Sequence, residues 1–176
     1  MKGFYIIIKD NFFEESLHKK LTNHIVHMNF DPNLTGFEGG LKGTDYDNKN
    51  HTWFSTPVDD ETQKIINKKC SEILNKKLEL YLCVYTILGK TKPIPHCDQA
   101  ENCHYQAIIY IKGNEELNKG TGFYIKKDNN LELNTHVGFI ENRSIIWHSN
   151  TFHTPLNFAS DDKSRRYSII CQFKEL

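Results

Sequence analysis

The sequence predicts an α+β, mainly β domain, a jelly-roll or barrel core buttressed by helices from its N-terminal part. Three observations carry this expectation. Helical periodicity is confined to two segments, about 12–28 and 60–76. From Leu78 onward the chain breaks into strand-like segments separated by turn residues. Aromatic residues are abundant, with eleven Phe, eight Tyr and two Trp among 176 residues, which suits pleated, half-buried surfaces. A chain of this length is expected to form one domain, with helical support over about 1–77 and the jelly-roll core over about 78–176.

Residues 4–8 (Phe-Tyr-Ile-Ile-Ile) read as a short strand. Asn11 followed by Glu14 has the spacing of a capping box. Phe13, Leu17, Leu21, Ile25 and Met28 then recur at helical spacing, which predicts an amphipathic helix over about 12–28. His24 and His27 lie one turn apart on it and read as surface residues, because no third metal ligand stands near them. Residues 29–58, with Asp31-Pro32, four glycines and the polar run Asp45–Asn50, read as an irregular loop of the kind that covers or binds. Within it, Trp53 and Phe54 either line a pocket or anchor the loop. Asp60 with Gln63 predicts the start of a second helix over about 60–76, with Ile66, Cys70, Ile73 and Leu74 facing inward.

Leu78–Leu88 is apolar on both faces, as expected of a strand packed on helices on one side and on a pocket on the other. Further strands are expected at about 104–112, 121–127, 131–139, 144–148 and 166–173. Gly113-Asn114, Gly120, Asp128-Asn129-Asn130 and Asn142 punctuate them.

Lys and Arg total 22, matched by 22 Asp and Glu, so the formal net charge is zero. This balance argues against a nucleic-acid partner, which calls for a basic footprint. Five cysteines, an odd number with no CxxC pair, suggest neither a disulfide framework nor a structural zinc site. A reducing, cytoplasmic location is expected. The apolar run 4–8 is too short for the core of a signal peptide, and no segment reaches membrane-spanning length.

The chemistry centres on Pro-Ile-Pro-His-Cys-Asp at 93–98. In an extended chain residues i and i+2 share a face, so His96 and Asp98 project together and Cys97 points away. Two histidines and one carboxylate form the facial triad that holds non-haem Fe(II) with positions left open. A lone His-x-Asp is weak evidence in a chain with nine histidines, so the downstream order matters. His136, His148 and His153 are candidates for the third ligand. His153 is preferred, because a strand over Ser144–Trp147 and a turn at Ser149-Asn150 precede it; His148 is second.

Arg166 and Ser168 share a strand face, opposite the apolar stripe Tyr167, Ile169, Cys171 and Phe173. A guanidinium on a pocket wall is costly unless an anion meets it, and its planar fork binds a carboxylate bidentately. Arg165 and Arg166 both remain open for that role, with Arg166 preferred. Tyr85 and Tyr110, on the strands flanking the His-x-Asp, are expected to offer hydroxyl donors to the same anion. Trp53, Gln106, Tyr124 and Gln172 are candidate substrate-pocket residues.

These residues resemble a known family. The order His96-Cys97-Asp98, Ala107–Lys112, Gly120–Tyr124, Asn142–Trp147 leading to His153-Thr154-Pro155, then Arg166–Ile170, is similar to that of the iron(II)- and 2-oxoglutarate-dependent dioxygenases, in particular their prolyl-hydroxylase-like branch. The likeness covers about Leu78 to Phe173. It implies a double-stranded β-helix core and Fe(II) held by His96, Asp98 and His153. It also implies 2-oxoglutarate held by Arg166, Tyr85, Tyr110 and Ser168, with O2 as the oxidant. The implied activity is hydroxylation of a C–H bond in a peptide or protein side chain or a small molecule, with 2-oxoglutarate decarboxylated to succinate. The family often has a Gly-Gly pair where this chain has Gly120-Thr121-Gly122. Two alternatives stand beside this one: a non-catalytic jelly-roll binding module, and a cupin-type metalloenzyme, whose ligands usually come from a denser His/Glu cluster.

Overall fold

The computed structural model describes residues 5–28, 53–88, 94–98, 103–156 and 166–176. These form β1 (Ile6–Lys9), α1 (Glu15–Ile25), β2 (Trp53–Pro57), α2 (Asp60–Leu74), β3 (Leu78–Leu88), β4 (Tyr105–Lys112), β5 (Gly120–Lys127), β6 (Asn130–Gly138), β7 (Ser144–His148), β8 (Phe152–Leu156) and β9 (Arg166–Glu175). Two sheets result, a major one in the order β1-β7-β4-β9-β3-β2 and a minor one in the order β6-β5-β8. Every pairing is antiparallel. The mainly β prediction therefore stands.

Two apolar layers hold the fold together. One lies between the major sheet and the helices. Phe13, Leu21, Ile25, Ile66 and Cys70 meet Tyr85, Ile109, Ile169, Cys171 and Phe173 there. The other lies between the sheets, where Ile108, Tyr110, Ile145 and Trp147 meet Phe123, Val137 and Phe139. Each fully buried side chain of this size contributes about 1.5–3 kcal/mol. β4 and β9 sit centrally in the sheet and are covered on both faces, which explains their near-continuous apolar sequences. β9 alternates as expected: Tyr167, Ile169, Cys171 and Phe173 pack on the helix side, whereas Ile170 packs with the layer between the sheets.

Several local expectations change. The Asn11–Glu14 capping box does not form: α1 starts at Glu15, its N-cap is Glu14, and no side chain caps it. Asn11 instead takes a left-handed φ of 54°. The next two residues are pinned to the turn before β7. Phe12 N–H donates to the Asn142 carbonyl, Phe13 N–H donates to Asn142 Oδ1, and Asn142 Nδ2 donates to the Phe13 carbonyl. Long-range satisfaction of these backbone groups wins over a local cap. The two N-terminal strands also belong to the major sheet, β1 beside β7 and β2 beside β3, so the region before Leu78 supplies both of its edges as well as the helices. Trp53–Pro57, expected within loop 29–58, is edge strand β2; residues 29–52 lie outside the described residues. β8 is not among the expected strands; its place in the minor sheet, along an edge, tolerates Pro155. Asp128 and Asn129, with φ of 47° and 70°, form the two-residue turn between β5 and β6, in the manner of a type I′ hairpin.

α2 is capped by Asp59, one residue ahead of the expected Asp60: its Oδ1 accepts from Thr62 N–H at 2.9 Å. Burial pushes the Asp59 carboxyl up, but hydrogen bonds from Thr62 and Tyr85 outweigh this and hold it below the usual carboxylate range. A carboxyl depressed on folding stabilises above its unfolded value, near pH 4, and loses that contribution as pH falls further. Asp59→Ala is therefore expected to cost about 1 kcal/mol in urea unfolding at pH 7, with the difference shrinking below pH 4. No helix among the described residues is long and apolar enough to cross a membrane.

Candidate metal centre

The site forms where the segment before β4 crosses the start of the minor sheet. His96 and His153 make an antiparallel bridge, with His96 N–H on the His153 carbonyl at 3.0 Å and His153 N–H on the His96 carbonyl at 2.9 Å. Their rings stand 4.7 Å apart between centroids. Asp98, two residues on, reaches between them: Oδ1 is 3.6 Å from His96 Nε2 and Oδ2 is 3.5 Å from His153 Nε2. One ligand atom from each of the three lies within 4.8 Å of the others. Among the described residues no other group of three His, Cys, Asp or Glu gathers in this way.

The hydrogen bonds behind the rings define their tautomers. His96 Nδ1 faces the Ile94 carbonyl at 2.9 Å and His153 Nδ1 faces the Thr151 carbonyl at 3.0 Å. A carbonyl only accepts, so each Nδ1 carries a proton and each ring turns its Nε2 towards the common point. That is the outer-shell arrangement of metal-binding histidines. Burial and the neighbouring His153 push the His96 imidazole below its ordinary value, which keeps it neutral at pH 7. Burial pushes Asp98 up, but His153, His96 and Gln106 together hold it below the usual carboxylate range. Two imidazole Nε2 atoms and a carboxylate that converge on one point fit a divalent transition metal.

The triad opens into a cavity with Gln106, Trp147, Thr121 and Arg166 in its walls. Arg166 is 5% exposed. Its guanidinium lies 5.3 Å from the Tyr110 ring, and its Nη1 donates to the Gly120 carbonyl at 3.5 Å. Burial pushes this guanidinium down from its ordinary value, opposed by Tyr110, and arginine stays charged regardless. Tyr110 is buried, its phenol raised by desolvation and therefore neutral, and its hydroxyl meets Thr121 Oγ1 at 2.7 Å.

Most of the expected residues gather here. His96, Asp98, His153, Gln106 and Arg166 line the cavity, with Tyr110 against Arg166. Ser168 is fully buried on the strand face of Arg166, and its Oγ has no hydrogen-bond partner. Gln172, buried on the same strand, pairs in register with Gln106 but does not line the cavity. Tyr124 does not line it either: it follows Phe123 on β5 and takes the opposite face. His136 is exposed on β6, and His148 packs edge-on against Tyr105 at 5.4 Å. Arg165 and the Trp53 side chain lie outside what is described.

Tyr85 is a correction. It is 1% exposed in the layer under the helices, and its hydroxyl donates to Asp59 Oδ2 at 3.3 Å. Thr86 takes the cavity side of β3 instead. The cross-strand register explains this, since Tyr85 pairs with Ile169 of the helix-facing stripe and Thr86 pairs with Ser168. Sequence spacing alone does not tell which parity of a strand apolar on both sides faces the pocket. Tyr85→Phe is accordingly expected to lower stability by about 0.5–1.5 kcal/mol and to leave metal affinity unchanged in calorimetric titration. Thr121 and Trp147, both cavity residues, stood in the family-like segments without an assigned role.

No protein-family model matches the chain, and no curated protein matches it by sequence. Solved structures do. A prolyl-4-hydroxylase from Pseudomonas putida aligns with a TM-score of 0.60 over 97% of this chain and 92% of its own, at 12% identity. A prolyl hydroxylase from Trichoplax adhaerens, solved with a hypoxia-inducible-factor peptide fragment, aligns at 0.64 over 97% and 83%, at 14% identity. HygX from Streptomyces hygroscopicus, solved with nickel, 2-oxoglutarate and hygromycin B, aligns at 0.61 over 96% and 82%, at 8% identity. The chain has their jelly-roll fold.

Proposed function

We propose that the protein is an Fe(II)- and 2-oxoglutarate-dependent oxygenase that hydroxylates a C–H bond. The observation that carries this reading is the convergence of His96, Asp98 and His153 in one cavity with the buried Arg166 guanidinium. Fold likeness to prolyl hydroxylases and to a protein solved with nickel, 2-oxoglutarate and hygromycin B supports it. That likeness leaves a peptide side chain and a small molecule both open as substrate.

Bound iron would supply the activation of O2, and the residues account for the rest. His96 and His153 offer Nε2, and Asp98 offers a carboxylate that Gln106 orients. Arg166 presents its fork to the distal carboxylate of 2-oxoglutarate, while Thr121 and the Tyr110 hydroxyl stand beside it as neutral hydrogen-bonding partners. Trp147, Ile108, Pro155 and Ile170 form apolar wall and limit water. The balance is 2-oxoglutarate, O2 and R–H giving succinate, CO2 and R–OH.

The test is succinate formation by anaerobically iron-loaded protein given 2-oxoglutarate, with and without O2, beside His96→Ala. Oxygen-dependent succinate that disappears in the variant is expected. An absence of succinate together with no thermal shift on adding iron and 2-oxoglutarate would instead favour the binding-module reading.

A further inference from the structure

Two residues that line the cavity, Gln106 and Trp147, each carry a buried polar atom that the chemistry above does not use. Gln106 is 1% exposed, and its Nε2 donates to Asp98 Oδ2 at 2.9 Å. A carboxylate that ligates metal only accepts, so the amide must present its nitrogen there, which places Oε1 on its other side. That Oε1 is buried and has no hydrogen-bond partner. Gln106 stands directly opposite Trp147 in the β4–β7 register, a spacing that brings side chains together on one face. Trp147 is 3% exposed, and its ring is held 4.9 Å from His153 and 5.3 Å from Phe123. Its Nε1–H is likewise buried without a partner.

An unpaired buried donor or acceptor costs about 1–3 kcal/mol. Two of them on facing residues of the same wall suggest a ligand that answers both. Neither has a role towards the cosubstrate in the reading above, whose anion lies with Arg166. Their chemistry also selects. A carboxylate brings no donor for Gln106 Oε1 and meets the charge of Asp98. An ammonium brings no acceptor for Trp147 Nε1–H. A neutral group with both a donor and an acceptor satisfies the pair, and an amide does so with its N–H and C=O.

We infer that Gln106 and Trp147 form the substrate-reading pair of this cavity and take a neutral donor–acceptor group, an amide, next to the metal ligands. This rests on the proposed oxygenase reading for its meaning but not for its measurement. Because Gln106 also grips Asp98, occupancy of the pair by substrate bears directly on a metal ligand.

The chain has two tryptophans, so a nitrogen-15 spectrum shows two indole N–H signals, and Trp147→Phe assigns the one that matters. Protein loaded with Zn(II), a diamagnetic stand-in, and then with 2-oxoglutarate is titrated with acetamide, acetate or methylammonium. Acetamide is expected to move the Trp147 signal saturably, while acetate and methylammonium leave it in place. In Gln106→Leu the acetamide response weakens by about ten-fold, the loss of one hydrogen bond. Should Gln106→Leu not fold, the comparison passes to Trp147→Phe, which keeps a ring in place and should lose the acetamide-induced thermal shift. A Trp147 signal that moves equally with acetate, or moves when 2-oxoglutarate is added and then ignores acetamide, overturns the inference. If Zn(II) and 2-oxoglutarate fail to bind, the oxygenase reading falls by itself, and acetamide on metal-free protein still decides the role of the pair.

Discussion

Asp98→Ala is expected to weaken binding of Fe(II), or of Mn(II) or Co(II) in its place, by at least about 100-fold, and to remove succinate formation. Changes to groups that merely orient a ligand cost about 10–100-fold, and Asp98 supplies the only carboxylate in the His96, Asp98 and His153 group. The fold should survive, because Asp98 belongs to neither apolar layer, and circular dichroism would confirm this. A pH dependence accompanies it. Both His96 and Asp98 are held below their ordinary values in the folded protein. The unfolded chain therefore takes up protons first as pH falls, and metal-free protein loses stability below about pH 6.5 and again below about pH 4. The same depression keeps His96 bare at Nε2 to lower pH than a free imidazole. Protonation of His96 should therefore weaken metal binding only at a lower pH than protonation of a free imidazole would. A wild-type affinity that Asp98→Ala leaves within two-fold would show that the metal sits elsewhere.

Much of this centre was legible because its parts obey local rules. His96 and Asp98 are two residues apart, and extended backbone puts such a pair on one face whatever the rest of the chain does. Arg166 and Ser168 follow the same rule on β9, where the apolar stripe of Tyr167, Ile169, Cys171 and Phe173 marks the opposite face. His153 is preferred over His148 for what precedes it, although the strand that carries it, β8, is not among the expected ones. What could not be read depends on pairing between distant segments. Tyr85 is expected at the pocket as a hydroxyl donor, but β3 is apolar on both faces, and only its register with Ile169 shows that it faces Asp59 and the helices. The Asn11 cap failed for a related reason: Asn142, more than a hundred residues away, captures Phe12 and Phe13. The role of Gln106 needed the position of Asp98 and the facing Trp147, neither of which spacing reveals.

Arg166 separates the oxygenase from the other metal-binding readings. Arg166→Met is expected to weaken 2-oxoglutarate binding by about 100-fold or more, since two charge-assisted hydrogen bonds to a carboxylate, each about 1.5–3 kcal/mol, are lost together. Metal affinity should not change, because the guanidinium lies against Tyr110 and Gly120. Arg166→Lys keeps the charge but not the fork. Its ammonium is a point donor, so 2-oxoglutarate affinity should fall between that of wild type and that of Arg166→Met. Isothermal titration of 2-oxoglutarate into Zn(II)-loaded protein gives the ranking without any turnover. A cupin-type enzyme that shared the triad would bind metal in all three proteins and show no such order. The order Arg, Lys, Met at constant metal affinity is a signature that needs both the triad and an anion clamp in one cavity. It would tie the buried charge of β9 to the cosubstrate, whichever substrate the remaining walls accept.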